Sequence, residues 1–202
     1  MPLPTPVRFE PIEALAVTVA STLPSSLQVS STPLYYKAMV LRLLAGTTRI
    51  RSNKSGLEIE QFNNYSTLRF TPNRRVTKTI LSRAVRPKTL AAYDKFIKTT
   101  PSNNQRFYAD IYFEFCGYFF AQHEQDYTVA FVHLYRILER ISYALPLFWA
   151  ARAKEYETTF VTLRTYFTDP KIGELGFFKQ FVPGFIDPTY LSVPVDLNAG
   201  ST

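Results

Sequence analysis

The sequence predicts an α+β, mainly α, fold: a helical domain with a small three-stranded antiparallel sheet. Three observations point there. From residue 74 onward apolar residues recur at spacings of three and four, and residues 47–71 carry the one convincing β alternation of apolar with polar side chains. The chain also holds 30 Phe and Tyr residues within a 46% apolar content, enough surface to build a substantial core. Its 202 residues suit a single domain. Within that domain we distinguish a basic part (1–106), an aromatic-rich helical part (107–182) and an extended, Pro-containing tail (183–202).

Pro11 and Glu13 suit the first turn of a helix, and Ile12, Leu15, Ala16, Val19 and Leu23 recur at helical spacing until Pro24. Leu15, Val17 and Val19 also alternate, so a strand competes; helix is the preferred reading. After the Ser-rich connector 25–32, residues 34–45 form a second helix that ends at Gly46, a natural C′ residue.

The β signal follows as three segments, 47–52, 57–62 and 65–71, separated by Asn53-Lys54-Ser55-Gly56 and Asn63-Asn64. As a meander they point Ile50, Leu57, Ile59, Leu68 and Phe70 inward and Arg49, Arg51, Glu58, Glu60 and Arg69 outward.

Residues 76–85 and 88–99 make two short helices split by Pro87, and Ser102 with Gln105 forms a capping box for a helix over 106–122. The crowded aromatics of 107–120 make that helix apolar nearly all round, either a central core helix or one that meets another protein. Asp126 caps a helix over 127–145, whose apolar stripe is Ala130, Leu134, Ile137, Leu138, Ile141, Ala144 and Leu145. Pro146 kinks or ends it, 148–167 continues as helix, and Asp169-Pro170 opens a last helix to about residue 181.

Charge divides the chain. Residues 1–106 carry sixteen Lys and Arg against five Asp and Glu, whereas 107–202 carry seven against eleven. The densest stretch, 69–106, sets ten cations against the single acid Asp94. Arg69, Arg74, Arg75, Lys78, Arg83, Arg86 and Lys88 are therefore the candidate contacts for nucleic acid or an acidic protein surface. A solvated face that pairs with the acidic half accounts for the same charges, because positive potential alone does not distinguish phosphate from carboxylate.

The helix over 127–145 offers one constellation. His133, Arg136 and Arg140 fall at offsets of three and four and share a face, where they could bind a phosphate or supply general acid/base chemistry. A polar helix face with Glu139 offsetting the cations is the preferred reading of the same residues. Cys116, His123 and His133 match no zinc spacing, and Asp110 with Glu114 could hold a divalent cation or form a plain acidic helix edge. No Gly-rich phosphate loop is present, and we assign neither metal nor cofactor. One cysteine excludes an internal disulfide and suits a reducing cytosol. Residues 14–23 follow Glu10 and Glu13 rather than a basic region, which makes a poor signal peptide, and no apolar run reaches the ~20 residues of a spanning helix. A soluble, cytoplasmic chain without membrane contact is expected.

The run Phe131-Val132-His133-Leu134-Tyr135-Arg136-Ile137-Leu138-Glu139, set in a series of aromatic-rich helices, resembles a phrase found in HEPN-like helical domains of bacterial phage-defence proteins. The resemblance covers about residues 104–168. Active members carry an Arg, a polar residue and then a His four to six positions downstream, a spacing no Arg–His pair here reproduces. The resemblance therefore implies a binding or scaffolding role rather than RNA cleavage, and the aromatic helices suit pairing in a homo- or hetero-oligomer. Two alternatives stay open: a ribonuclease with a non-standard His133, Arg136 and Arg140 site, and a phage or viral structural protein whose extended arms serve assembly.

Overall fold

The computed structural model describes residues 9–66, 71–73, 75–168, 176 and 182. It comprises two compact units, Met1–Ile137 and Leu138–Thr202. The expected mainly α architecture with a three-stranded antiparallel sheet is present in the first unit.

The sheet recruits a different third strand. β1 (Phe9–Glu13), β2 (Thr48–Ser52) and β3 (Glu58–Glu60) lie in the order β1-β2-β3, with Pro11 opposite Ile50 and Ile50 opposite Ile59. The helix expected over 12–23 is thus replaced by a strand and a one-turn helix, α1 (Val17–Ala20). Pro11 is tolerated because β1 is an edge strand, where a missing backbone donor is harmless. Leu15 and Leu23 are both buried, so the periodicity read as helical was a record of burial.

Of the segment expected as the third strand, 65–71, the described residue Thr71 lies in a separate two-stranded ladder of β4 (Asn63–Asn64) and β5 (Thr71–Pro72). Leu68, Arg69 and Phe70 lie outside the described residues. Ile50 and Ile59 face the core as expected, whereas Leu57 precedes β3 and stays exposed.

The helices follow their sequence signals closely. α2 (Tyr36–Leu44) ends at Gly46, whose φ of +65° only glycine adopts cheaply; a Cβ there would also lie 2.7 Å from Asn73 Nδ2 and 2.9 Å from the Phe62 carbonyl. α3 (Lys78–Ala84) and α4 (Leu90–Thr99) flank Pro87, and Thr89 caps α4 by accepting from the Ala92 N–H at 3.1 Å. α5 (Gln105–His123) starts from Asn104 in the left-handed region, not from the expected capping box. Gln105 instead donates through Nε2 to the Leu34 carbonyl at 2.8 Å, a tertiary bond that outcompetes the local one.

In α6 (Tyr127–Arg152) Asp126 caps the Val129 N–H at 3.1 Å as expected, and Pro146 is absorbed within the helix rather than ending it. The expected continuous helix over 148–167 is broken at 153–155 before α7 (Tyr156–Thr168). The last helix and the tail fall almost wholly outside the described residues.

The core of the first unit packs Leu27, Leu43, Ile50, Leu81, Ile97, Tyr112 and Cys116 between the sheet, α2 and α5. Aromatic contacts tie α5 to three other segments: Phe9 to Phe120, Tyr36 to Tyr112, and Tyr65 to Phe119, with centroids 5.7–6.0 Å apart. Core is therefore the outcome for much of the α5 aromatic run.

At the centre lies a charge the sequence reading overlooked. Arg42 is fully buried. Its Nη1 donates to Glu13 Oε2 at 2.8 Å and to the Leu27 carbonyl at 2.9 Å, its Nη2 to Glu13 Oε1 and the Thr47 carbonyl, and its Nε to Thr47 Oγ1 at 3.4 Å. All five donors are matched, the condition under which a guanidinium can be buried.

Candidate polyanion-binding surface and the His133 cluster

The structure sorts the cations of the basic half into neutralised and unneutralised sets. On the outer face of the sheet, Arg49 pairs with Glu58 at 3.2 Å, and Arg51 pairs with Glu10 at 3.0 Å and also with Glu58. The Arg51 hydrogen bond holds the Glu58 carboxyl below the usual carboxylate range. On α4, Lys98 bonds Asp94 at 2.8 Å and lowers that carboxyl in the same way, with the Ser26 N–H as a further donor. Lys78 reaches back to the Thr22 carbonyl at 3.0 Å.

The remaining predicted contacts differ. Arg75 before α3, Arg83 in its last turn, and Arg86 and Lys88 in the connection to α4 are all exposed, as is Lys95 on α4. Among the described residues none of these five has a carboxylate partner within ion-pair distance. Arg69 and Arg74 lie outside the described residues. Lys78 belongs partly to the fold, through Thr22, as well as to this surface.

The second candidate gathers where α6 crosses α5. His133 Nδ1 lies 2.7 Å from Glu114 Oε2, and Arg136 Nη1 lies 3.9 Å from the same oxygen. Gly117 makes the crossing possible: a Cβ there would fall 2.4 Å from His133 Cε1 and 2.5 Å from Nε2. The imidazole thus rests on the bare backbone of α5, and a side chain at 117 would require the ring to shift.

The sequence placed His133 and Arg136 on one face; only the fold adds Glu114 and Gly117. Arg140 occupies the same helix seven residues from His133, in the second unit. The carboxylate orients the imidazole, and the half-exposed Arg136 guanidinium stands beside them. Such a set can hold an anion or position a proton.

Among the described residues no group of three or more His, Cys, Asp or Glu is arranged to hold a metal ion. Cys116 is sealed in the core, where burial pushes its thiol well up from the ordinary value, and His123 is exposed at the end of α5. No helix among the described residues is long and apolar enough to cross a membrane. Comparison of the chain with protein-family models, curated proteins and solved structures finds no match.

Proposed function

We propose that this chain is a non-enzymatic binding and assembly subunit that applies the basic face of α3 and α4 to a polyanion, nucleic acid or an acidic protein surface. One observation carries the reading: the arginines of the sheet are matched by carboxylates, while Arg75, Arg83, Arg86, Lys88 and Lys95, close together in the chain from α3 to α4, are exposed and unmatched among the described residues. Like charges held together raise local potential and await a counter-charge. The exposed aromatics Tyr127, Phe131 and Tyr135, spaced by four along α6, support pairing with a second chain. We read the phrase at 131–139 as support for a HEPN-like subunit of a bacterial defence complex, in a cytoplasm that suits a lone buried thiol.

The test is a salt titration of binding to a labelled oligonucleotide. Each phosphate engaged contributes a slope of ~0.7–0.9 log units per log unit of salt. Changing Arg83, Arg86 and Lys88 together to Glu should abolish binding with an unchanged melting temperature, since none of the three supports the fold. Binding that ignores salt, or survives that triple change, would sink the proposal.

The contact between His133 and Glu114 favours a second reading, a ribonuclease in which His133 acts as general base beside Arg136. His133→Ala would then lower a cleavage rate by ~10²–10⁴-fold while binding persists. On the binding-subunit reading the same variant leaves nucleic-acid binding intact and there is no cleavage to lose.

A further inference from the structure

One aromatic side chain on the basic surface is not claimed by the core. Phe96 of α4 is 51% exposed, while Leu90 and Ile97 of the same helix are buried. Its ring nonetheless has partners within the fold. Lys37 Nζ sits 5.5 Å from the ring centroid, and the Tyr93 ring leans on it with centroids 6.3 Å apart. Lys37 is itself anchored, donating to the Thr100 carbonyl at 2.6 Å and to Thr100 Oγ1 at 3.1 Å, with the Tyr108 ring at 5.6 Å.

Two consequences follow from this arrangement. The ring already packs against Lys37 and Tyr93, so less side-chain entropy is lost when something stacks on it. A buried ammonium against its inner face also draws π density inward, which makes the outer face a better partner for an electron-rich ring. Beside Phe96 in sequence stands the unmatched Lys95, and in the connection that precedes α4 stand Arg86 and Lys88.

We propose that Phe96 is a base-stacking platform and that the polyanion is single-stranded nucleic acid, with Lys95, Lys88 and Arg86 neutralising its backbone. This inference rests on the polyanion reading given above and narrows it. A duplex hides its base faces within the stack, and an acidic protein supplies charge without the planar bases, so only an unpaired strand uses both features.

The experiment measures fluorescence anisotropy of a labelled single-stranded oligonucleotide, the matching duplex, heparin and poly-glutamate with the full chain and with Phe96→Leu and Phe96→Tyr. Both substitutions keep an apolar cover over Lys37. We expect the single strand to bind most tightly, Phe96→Leu to weaken it by about 5- to 150-fold, Phe96→Tyr to retain it, and heparin affinity to stay constant throughout.

Equal single-strand affinity in Phe96→Leu and wild type would overturn the stacking role and leave the polyanion reading standing. A parallel loss of heparin binding in Phe96→Leu would overturn it too, by showing that the ring only supports the surface. Preference for duplex or poly-glutamate would reassign the surface to those partners. Absence of binding to all four probes would overturn both proposals together.

Discussion

Arg42 and Glu13 form a two-point ion pair that joins α2 to the end of β1, with Arg42 Nη1 2.8 Å from Glu13 Oε2. The guanidinium also holds the Leu27 and Thr47 carbonyls, so four segments converge on one side chain. Removing one partner of such a pair strands the other inside the protein, at a cost of ~3–5 kcal/mol. Arg42→Ala should lower stability to urea by about that amount. Glu13→Gln, which leaves the fully buried guanidinium an acceptor but no counter-charge, should cost a comparable amount. Equal, small losses in both would show that the pair is incidental.

Gly117 and His133 give a prediction of unusual sign. Replacing a helical glycine by alanine ordinarily stabilises by up to ~1 kcal/mol. Here the new Cβ meets the imidazole 2.4 Å away, so Gly117→Ala should destabilise by ~1–3 kcal/mol, as overpacking does. In a His133→Ala background the same change should become neutral or favourable. A double-mutant cycle by chemical denaturation reads this directly, and additive effects would refute the contact.

Burial pushes the Cys116 thiol and the Tyr112 phenol well up, and that of Tyr93 up to about 12. Each group is neutral when folded and ionises more readily when unfolded. Its stabilising contribution is therefore complete below the ordinary thiol and phenol values of ~8.5 and ~10, and is lost as pH rises toward the folded values. The unfolding free energy from urea titrations should fall between about pH 8.5 and 11 on the order of 1.4 kcal/mol per pH unit for each group in its window. Cys116 should also resist thiol reagents until denaturant is added. A flat stability profile across that range would contradict the burial of these groups.

Along α6, Ile137 is buried and Leu138 is exposed by more than a third. Ile137→Ala should cost ~2–5 kcal/mol, whereas Leu138→Ala should stay within ~0.5 kcal/mol. Melting temperatures of the two variants check the helix register: similar losses would place both side chains in the core.

The amino-acid sequence by itself determined what depends on neighbours along the chain. The glycine that ends α2, the Asp126 cap, the helices on either side of Pro87 and the alternation that points Ile50 and Ile59 inward all obey local rules, because turn geometry and side-chain period act within a few residues. The division into basic and acidic halves, and the shared face of His133 and Arg136, were equally legible.

Tertiary structure decided the rest. Residues 9–13 became a strand because β2 offered a partner edge and Arg51 and Arg42 took up Glu10 and Glu13, interactions spanning 41 and 29 residues that no local period encodes. The same holds for Gln105, drawn from its capping role by a carbonyl 71 residues away, and for Glu114 and Gly117, which complete the His133 cluster from another helix. Which cations remain free for a partner was settled in that way too: charge is written in the sequence, but neutralisation is a matter of which carboxylates the fold brings within reach.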